Sequence, residues 1–308
     1  MSEKSKDAIK VTVVGAANVD ITSTSMVRYR ACDSNPSRVE IAFGGVGRNI
    51  AHNLRLLGAE VWFRSVYSDD AMASALLSDC RRLGLVTAPE TVVAGSRSNY
   101  FICVNDDKGE MQAGAADMVL MESFTPAMVE CEAAEYNTRS RAVVADCNVS
   151  GEVLRALAER CRVPLYVDAT SGAKASRIAA LLSLSARACP LIVKVNRAEA
   201  QTLTGLYGSD PERMALTLLS RGVTRVYITL GSDGVYCHDG ERGMRLAAEP
   251  VTPVNATGAG DAFMAAMVMG ELSGLAPEQA AQLGMEASRV TILSPRAVSD
   301  DVRYIINN

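Results

Sequence analysis

The chain has 308 residues, of which 48% are hydrophobic and 21% charged, and its formal net charge is −4. This composition supports a sizeable core and argues against a disordered chain, and the absence of any basic block argues against nucleic acid as a partner. We find no linker, internal repeat or low-complexity tract, so we interpret residues 1–308 as a single domain.

Short apolar runs alternate with helix-like stretches along the chain. Continuous Val, Ile and Leu runs are typical of strands buried on both faces of a parallel sheet. The alternation predicts an α/β fold, doubly wound, with a mainly parallel central sheet and helices on both faces. The predicted strands are 10–15, 141–146, 163–168, 191–195 and 225–230. The predicted helices are 46–57, 71–83, 151–161, 173–184, 197–204, 211–221, 257–272 and 277–290.

Two segments, residues 21–43 and 98–113, interrupt this alternation. Both are richer in β-forming residues, polar residues and turn residues than the rest of the chain. We predict that they form a small β-rich lid projecting from the core. The alternative is a pair of surface loops.

Polar residues follow the predicted strands at the point where each strand ends. In open α/β sheets, ligands bind beyond the carboxyl ends of the strands. A single such residue means little, because Asn and Asp often terminate strands, but five strand ends indicate a binding edge. The residues concerned are Asn18, Asp20, Asp146, Asn148, Asp168, Asn196, Thr229 and Gly231.

The stretch V-N-A-T-G-A-G-D-A-F at residues 254–263 opens a predicted helix with small residues and one carboxylate, that of Asp261. The first amides of a helix have no internal partner and attract anions, and glycine lets a phosphate approach the backbone. A carboxylate there suits removal of a proton from a hydroxyl that attacks the phosphate. The alternative is an ordinary helix start with Thr257 as N-cap.

Three further motifs each allow a functional and a structural interpretation. The G-G-V-G-R-N turn at 44–49 suits a sugar site or a glycine-rich helix entry. The N-R-A-E segment at 196–199 suits a water-mediated magnesium contact or a capping box. The T-L-G-S-D-G turn at 229–234 suits nucleotide phosphate binding or a chain reversal.

Together, and in this order, these motifs resemble those of the PfkB (ribokinase-like) family of carbohydrate and nucleoside kinases. The resemblance covers nearly the whole chain, including the K-x-N-x-x-E segment that begins at Lys194. Further segments resemble the pseudouridine-phosphorylating branch of the family: D-S-N-P at 33–36, G-G-V-G-R-N-I-A at 44–51 and V-A-D-C-N at 144–148. The resemblance implies transfer of phosphate from ATP to the 5′-hydroxyl of pseudouridine, with Mg²⁺.

The resemblance also implies roles for individual residues. Asp261 is the implied base, and Gly258, Ala259 and Gly260 form the implied anion hole. Nucleoside contacts are implied for Asn18, Asp20, Gly44, Gly45, Asn49 and Asn148, and base recognition for Asp33, Ser34 and Asn35 in the lid. ATP contacts are implied for Lys174, Asn196, Thr229, Gly231 and Gly234, and a water-mediated Mg²⁺ contact for Glu199.

Two positions depart from the family pattern. Val195 replaces the usual proline of the K-P-N segment, which should loosen that turn little. Asn255 stands where many relatives carry an aspartate near a monovalent cation. A monovalent cation is therefore compatible with the resemblance, but the missing negative charge weakens the expectation of strong potassium activation.

The cysteine pattern and the N-terminus bear on the cellular location of the protein. Eight scattered cysteines without a C-x-x-C pair are typical of reduced thiols, and the polar N-terminus and short apolar runs predict neither a signal peptide nor a membrane span. We expect a cytoplasmic protein that has no membrane partner and forms a homodimer through the lid. The alternatives are a family kinase for another nucleoside or a free sugar such as ribose, and a catalytically silent nucleoside-binding protein.

Overall fold

A nine-stranded sheet forms the centre of the computed structural model, which describes residues 8–88, 91–184 and 187–306. Its strand order is β15-β14-β13-β12-β11-β10-β1-β4-β6, and every neighbouring pair is parallel except β13–β14 and β14–β15. The strands are β1 Lys10–Val14, β4 Glu60–Arg64, β6 Val86–Thr87, β10 Ala142–Asp146, β11 Leu165–Asp168, β12 Leu191–Asn196, β13 Arg225–Thr229, β14 Val235–His238 and β15 Gly243–Leu246.

Helices cover both faces of this sheet. One face carries a buried apolar cluster that includes Ile50, Leu54 and Phe263, and the other carries one that includes Val153 and Leu157. The first cluster packs α1 Val46–Leu56, α2 Ala71–Arg82, α9 Ala259–Leu272 and α10 Pro277–Ile292. The second packs α3 Pro126–Arg139, α4 Gly151–Arg160, α5 Gly172–Ala175, α6 Ala179–Leu182, α7 Arg197–Thr204 and α8 Pro211–Ser220. The predicted doubly wound α/β fold is therefore confirmed.

A second sheet of four strands contains the segments predicted as the lid. Its order is β3-β2-β8-β9, with β2 and β8 parallel and the outer pairs antiparallel. Its strands are β2 Asn18–Ser25, β3 Ser37–Gly44, β8 Tyr100–Asn105 and β9 Met111–Asp117, and a further small parallel pair joins β5 Tyr67–Ser68 to β7 Val92–Val93. The segments are β-rich as predicted, and the alternative of two surface loops is wrong, because both segments contribute paired strands.

Several elements differ from the sequence-based prediction. The strands β4 and β6, the antiparallel strands β14 and β15 at one end of the sheet, and the helix α3 were not predicted. The predicted helix at 173–184 is two short helices, α5 and α6, joined by a 3₁₀ turn at Ser176–Ile178. The remaining predicted strands and helices lie where expected, with ends that differ by one or two residues.

A buried polar cluster fixes the C-terminal end of α9. The Glu271 carboxylate accepts a hydrogen bond from Tyr166 Oη at 2.7 Å and forms an ion pair with Arg225 at 2.5 Å, and Tyr227 Oη also donates to it. Since these partners lie on β11 and β13, the cluster ties α9 to the central sheet. The N-terminal end of the same helix is thereby held over the carboxyl ends of the strands.

No helix in the described part of the chain combines the length and the apolar character that a membrane span requires. All eight cysteines carry free thiols.

Candidate active site

The carboxyl ends of β1 and β10 to β13 lie side by side in the sheet and bring the predicted polar residues to one edge. Asp146 ends β10 and is fully buried. One of its carboxylate oxygens accepts the Ala16 amide at 2.9 Å, and the other accepts the Asn148 amide at 2.7 Å. Burial raises the pKa of Asp146. This carboxylate therefore joins the loops that follow β1 and β10.

The N-terminus of α9 opens onto the same edge. Gly258 precedes the helix with φ of 82°, and no side chain caps the helix. The interpretation of Thr257 as N-cap is therefore wrong, because a left-handed glycine occupies that position. The amides of Gly260 and Asp261 fall in the first turn, where no carbonyl of the helix can accept them. Together with Gly258, they form a feature suited to an anion, and we refer to residues 258–261 as the anion-binding turn.

Asp261 lies in this first turn and is 8% exposed. Asn49 Nδ2 on α1 donates to Asp261 Oδ2 at 2.9 Å. Two predicted site residues that are far apart in the sequence are therefore in contact. Burial, reinforced by the charge of Asp168, raises the pKa of Asp261 to about 8, although the Asn49 hydrogen bond and Lys194 act in the opposite direction. A carboxyl with a pKa near neutrality is well suited to proton transfer.

If Asp261 is a base, as the sequence predicts, its pKa should be visible in the pH dependence of catalysis. A base acts only when deprotonated, so kcat/KM, which reports the free enzyme, should rise with pH through about 8. In kcat, the rise should lie at lower pH, because a hydroxyl that donates to the carboxylate stabilises its charged form. Initial rates across pH check this, and a kcat/KM that is flat between about pH 6 and 9 would contradict it.

Lys194 is buried beneath the anion-binding turn. Its Nζ lies 2.9 Å from Asp168 Oδ2, and a Cβ at position 260 would lie 2.8 Å from the same nitrogen. Burial lowers the pKa of Lys194, but the carboxylates of Asp168 and Glu199 outweigh burial, and the pKa is raised overall. A permanent positive charge therefore lies directly behind Gly260.

The sequence-based interpretation included Lys194 in a motif without giving it a role. A lysine inside an otherwise apolar strand, with an Asp at the end of the preceding strand in the sheet, is the signal that was available.

The start of β2 and the end of β3 form a second part of the site. Asn18 pairs with Gly44 in the register, and Asn18 Nδ2 donates to Asp20 Oδ1 at 2.5 Å. A Cβ at Gly44 would collide with the Asp20 carboxylate as it is now placed, so this carboxylate lies directly against the Gly44 backbone. Burial raises the pKa of Asp20 to about 6. Gly45 has φ of 98° and leads directly into α1, which carries Asn49.

Asn148 and Lys174 were predicted to contact different substrates, and the structure brings them together. Lys174 Nζ donates to Asn148 Oδ1 at 2.5 Å. Burial lowers the pKa of Lys174, while the charge of Asp146 opposes that change. The pair stands between the Asp146 loop and the start of α5.

Asn196 and Glu199 form a complete capping box at the start of α7. Asn196 Oδ1 accepts the Glu199 amide at 2.9 Å, and Glu199 Oε2 accepts the Asn196 amide at 2.7 Å. The interpretation of the N-R-A-E segment as a capping box is therefore confirmed. Glu199 is also buried, and burial raises its pKa despite the nearby Lys194. Its Oε1 accepts no hydrogen bond from the described residues, which leaves one oxygen for a water molecule.

A cavity of about 670 Å³ adjoins the anion-binding turn. Thr229, Gly231 and Gly234 line it together with Ala259 and Gly260. Its apolar lining comes from residues that sequence reasoning did not select, among them Val251, Phe263, Met285 and Ile292. Asn196 and Lys174 do not line this cavity. Its size and mixed walls fit a nucleotide whose phosphates reach the start of α9.

The D-S-N segment lies on an exposed loop between β2 and β3. Asn35 uses its side chain within this loop, since Oδ1 accepts the Arg30 amide at 2.8 Å and Nδ2 donates to the carbonyls of Arg30 and Asp33. Asp33 Oδ1 accepts the Ser34 amide, and both residues are exposed. Asp33 and Ser34 therefore have polar atoms to offer a ligand, whereas the Asn35 amide braces the loop.

Comparisons with known proteins identify relatives of this chain. The family model described as pfkB family carbohydrate kinase matches residues 8–302. The pseudouridine kinase of Escherichia coli K12 is 33% identical over 263 residues, which cover 83% of this chain and 82% of that protein. A carbohydrate kinase from Agrobacterium tumefaciens has a TM-score of 0.81 at 26% identity, over 96% of this chain and 95% of that one. The ribokinase of Arabidopsis thaliana, solved with ribose and ATP, shares the fold with a TM-score of 0.74 at 17% identity, over 97% and 98% of the two chains.

Proposed function

The chain belongs to the pfkB family of carbohydrate kinases, and from this premise we propose that it transfers the γ-phosphoryl group of ATP to the 5′-hydroxyl of pseudouridine. The observation that carries the proposed chemistry is the buried Asp261 carboxyl, held by Asn49 in the first turn of α9. The coarser statement, a phosphotransferase acting on an alcohol group, follows from the family itself.

Asp261 is the residue we assign to the proton of the attacking hydroxyl. The hydroxyl oxygen forms a bond to the γ-phosphorus, the bond from that phosphorus to the β-phosphate oxygen breaks, and ADP leaves. The hydroxyl proton passes to Asp261, which releases it to solvent after product departure. Asn49 orients the carboxylate through its 2.9 Å hydrogen bond. Positioning of this kind supplies most of the rate in phosphoryl transfer.

The charge that develops on the phosphoryl group is balanced by groups already fixed in the fold. The first amides of α9 face it, and Lys194 stands behind Gly260 with its charge maintained by Asp168. Fixed donors of this kind need no reorganisation during the reaction. We assign the cavity beside the turn to ATP. Mg²⁺ bound with ATP neutralises phosphate charge, and the free oxygen of Glu199 is suited to hold one of its waters.

The choice of acceptor rests on two supports. The first is the identity with the Escherichia coli pseudouridine kinase, and the second is the set of segments that resemble that branch of the family. The rival is another nucleoside or ribose, as in the ribokinase solved with ribose and ATP. Asn18, Asp20, Gly44, Gly45 and Asn49 fit either acceptor, because a ribose ring is common to both.

A panel of nucleosides and free sugars with ATP, followed by product identification, tests the proposal. We expect pseudouridine 5′-phosphate to form with the highest kcat/KM. A strong preference for ribose, adenosine or another nucleoside would favour the rival. ATP turnover that no acceptor increases would support a catalytically silent binding protein, although the retained Asp261 and glycine turn argue against it.

We predict that Asp33 contributes to selectivity for pseudouridine over uridine. The two bases are nearly equal in size, but the C-glycoside leaves an additional ring N–H that a carboxylate can accept. A site that accepts a hydrogen bond discriminates far more strongly than one that senses volume. Asp33→Ala should therefore narrow the pseudouridine-to-uridine ratio of kcat/KM, measured with both nucleosides at the same enzyme concentration.

Asn35→Ala is the matched control for Asp33→Ala. Because the Asn35 amide braces the loop, its removal should lower kcat/KM for both nucleosides by a similar factor. An equal loss on both nucleosides in Asp33→Ala would show that Asp33 shapes the loop and does not recognise the base. In that case Ser34 would be the next candidate.

We propose that the four-stranded sheet covers the nucleoside as a lid and that its outer face binds a second copy of the chain. Three residues that the register sets on one face, Val39, Ile41 and Ile102, are 59%, 55% and 42% exposed. An apolar face of this kind favours a homodimer. Light scattering of the wild type and of Ile41→Glu tests the homodimer proposal, with a shift to monomer expected for the variant.

We further propose a cytoplasmic location, which the free thiols and the need for ATP support.

A further inference from the structure

Asn255 lies three residues before the glycine that starts the anion-binding turn, and its side chain joins two separate loops. Oδ1 accepts the Thr257 amide at 2.9 Å, while Nδ2 donates to the Pro295 carbonyl at 3.0 Å. The two contacts define the orientation of the amide, because only the oxygen can accept and only the nitrogen can donate. The side chain therefore links the approach to α9 with the loop that follows α10.

The loop after α10 supports the turn at further points. The amides of Val254 and Asn255 both donate to the Ile292 carbonyl, at 2.7 and 3.1 Å. A Cβ at Gly258 would collide with the Ala297 carbonyl, so the two backbones are in close contact. The position of the anion-binding turn thus depends directly on residues 292–297.

Family relatives imply a monovalent cation near position 255, and the residues here do not fit one. Such an ion is held by oxygen atoms, as hard cations generally are. The side-chain oxygen of residue 255 and the carbonyls of Ile292 and Pro295 already accept N–H groups. Moreover, the –NH₂ group directed at Pro295 carries partial positive charge and would repel a cation.

We propose that the Asn255 amide replaces the monovalent cation in this protein. Its –NH₂ group donates a hydrogen to the carbonyl that an ion would otherwise coordinate, and this hydrogen bond connects the same two loops. Asn255 is a positioning residue, because it acts on the phosphate through the turn at Gly258. The kinase therefore works without potassium. This inference depends on the kinase class alone and not on which nucleoside is the acceptor.

The first test compares the wild type in potassium and in choline at constant ionic strength. The thermal midpoint without substrates, and kcat and the KM for ATP with the best acceptor of the panel, should be the same in both salts. The midpoint requires no acceptor, so this readout remains valid if the proposed substrate is wrong. A severalfold increase of kcat in potassium, or a thermal midpoint that rises specifically with it, would overturn the proposal.

Asn255→Asp is the variant that should make the activity depend on potassium. A carboxylate cannot donate to Pro295, and two oxygens would then face each other with no hydrogen between them. We expect the KM for ATP or kcat to worsen roughly tenfold in choline, which corresponds to the loss of about one hydrogen bond. Potassium should restore most of this loss and raise the thermal midpoint, because the site now carries the negative charge that a cation requires.

Asn255→Ala is the control, since it removes the donor without adding charge. It should lose activity to a similar degree and gain nothing from potassium. Full activity of Asn255→Asp or Asn255→Ala in choline would show that the amide does not position the turn. A potassium response in Asn255→Ala equal to that of Asn255→Asp would show that the carboxylate has no part in it, and would also contradict the proposal.

Discussion

Asp261→Asn is expected to lower kcat by about 10²–10⁴-fold while leaving the fold and nucleoside binding intact. The amide has the size of the carboxyl and can keep the contact with Asn49, but it cannot take the proton of the attacking hydroxyl. Steady-state kinetics measure the loss, and calorimetry with the nucleoside measures binding. Near-normal kcat in a folded variant would exclude Asp261 as the base.

The same variant should also be more stable than the wild type, in a defined pH window. The pKa of Asp261 is raised from 3.8 to about 8, so the folded state holds its proton more tightly than the unfolded state. The wild type therefore loses stability as the pH rises between these two values, and not outside them. Asn stays neutral throughout. Urea unfolding should show that the variant and the wild type are equally stable near pH 3.8. Above about pH 8, the variant should have a free energy of unfolding higher by on the order of a few kcal/mol.

Lys194→Met is expected to reduce both stability and activity. Met fills a similar volume, but it leaves the buried Asp168 carboxylate without its partner at 2.9 Å. Breaking a buried ion pair on one side typically lowers the free energy of unfolding by about 3–5 kcal/mol. The loss of positive charge behind Gly260 should lower kcat by at least about tenfold, because preorganised charge stabilises the transition state. Urea denaturation and initial rates measure the two effects.

A double variant separates the loss of stability from the loss of activity. In Lys194→Met with Asp168→Asn, no unpaired carboxylate remains at this pair, so most of the stability should return while kcat stays low. If stability and activity recover together, Lys194 acts only through folding. A Lys194→Met protein as stable as the wild type would show that Asp168 has another counterion.

The core of the fold was predictable because its strands are continuous apolar runs between amphipathic helices. Three of the elements that were missed, α3, β14 and β15, lack this signal. α3 buries only Val129, Ala133 and Tyr136 among its 14 residues, so its apolar periodicity is weak. β14 and β15 have four residues each and form a short antiparallel hairpin at one end of the sheet, which leaves little sequence pattern. The helix predicted at 173–184 is interrupted by a 3₁₀ turn, a distinction that apolar spacing does not encode.

The candidate site was predictable where residues sit at strand ends, because parallel strands bring their carboxyl ends to one edge. Asp146, Asp168 and Thr229 follow this rule. Contacts that depend on three-dimensional packing were not predictable. The closeness of Lys194 to Gly260, the Asn255 bridge to Pro295 and the apolar wall of the cavity each join elements far apart in the chain. Likewise, sequence spacing alone did not reveal that the Asn35 side chain is engaged inside its own loop.

The hydrogen bond from Asn49 to Asp261 spans 212 positions of the sequence, and this separation bears on how the protein is made. A chain leaves the ribosome from its N-terminus, and contacts between distant residues form late because closing a long loop costs entropy. β1, α1 and the strands β10 to β13 are all complete before α9 is synthesised. A nascent chain can therefore assemble its central sheet and the residues proposed to contact the nucleoside while it still lacks Asp261, the proposed proton acceptor. The proposed catalytic contact forms only when α9 docks against α1.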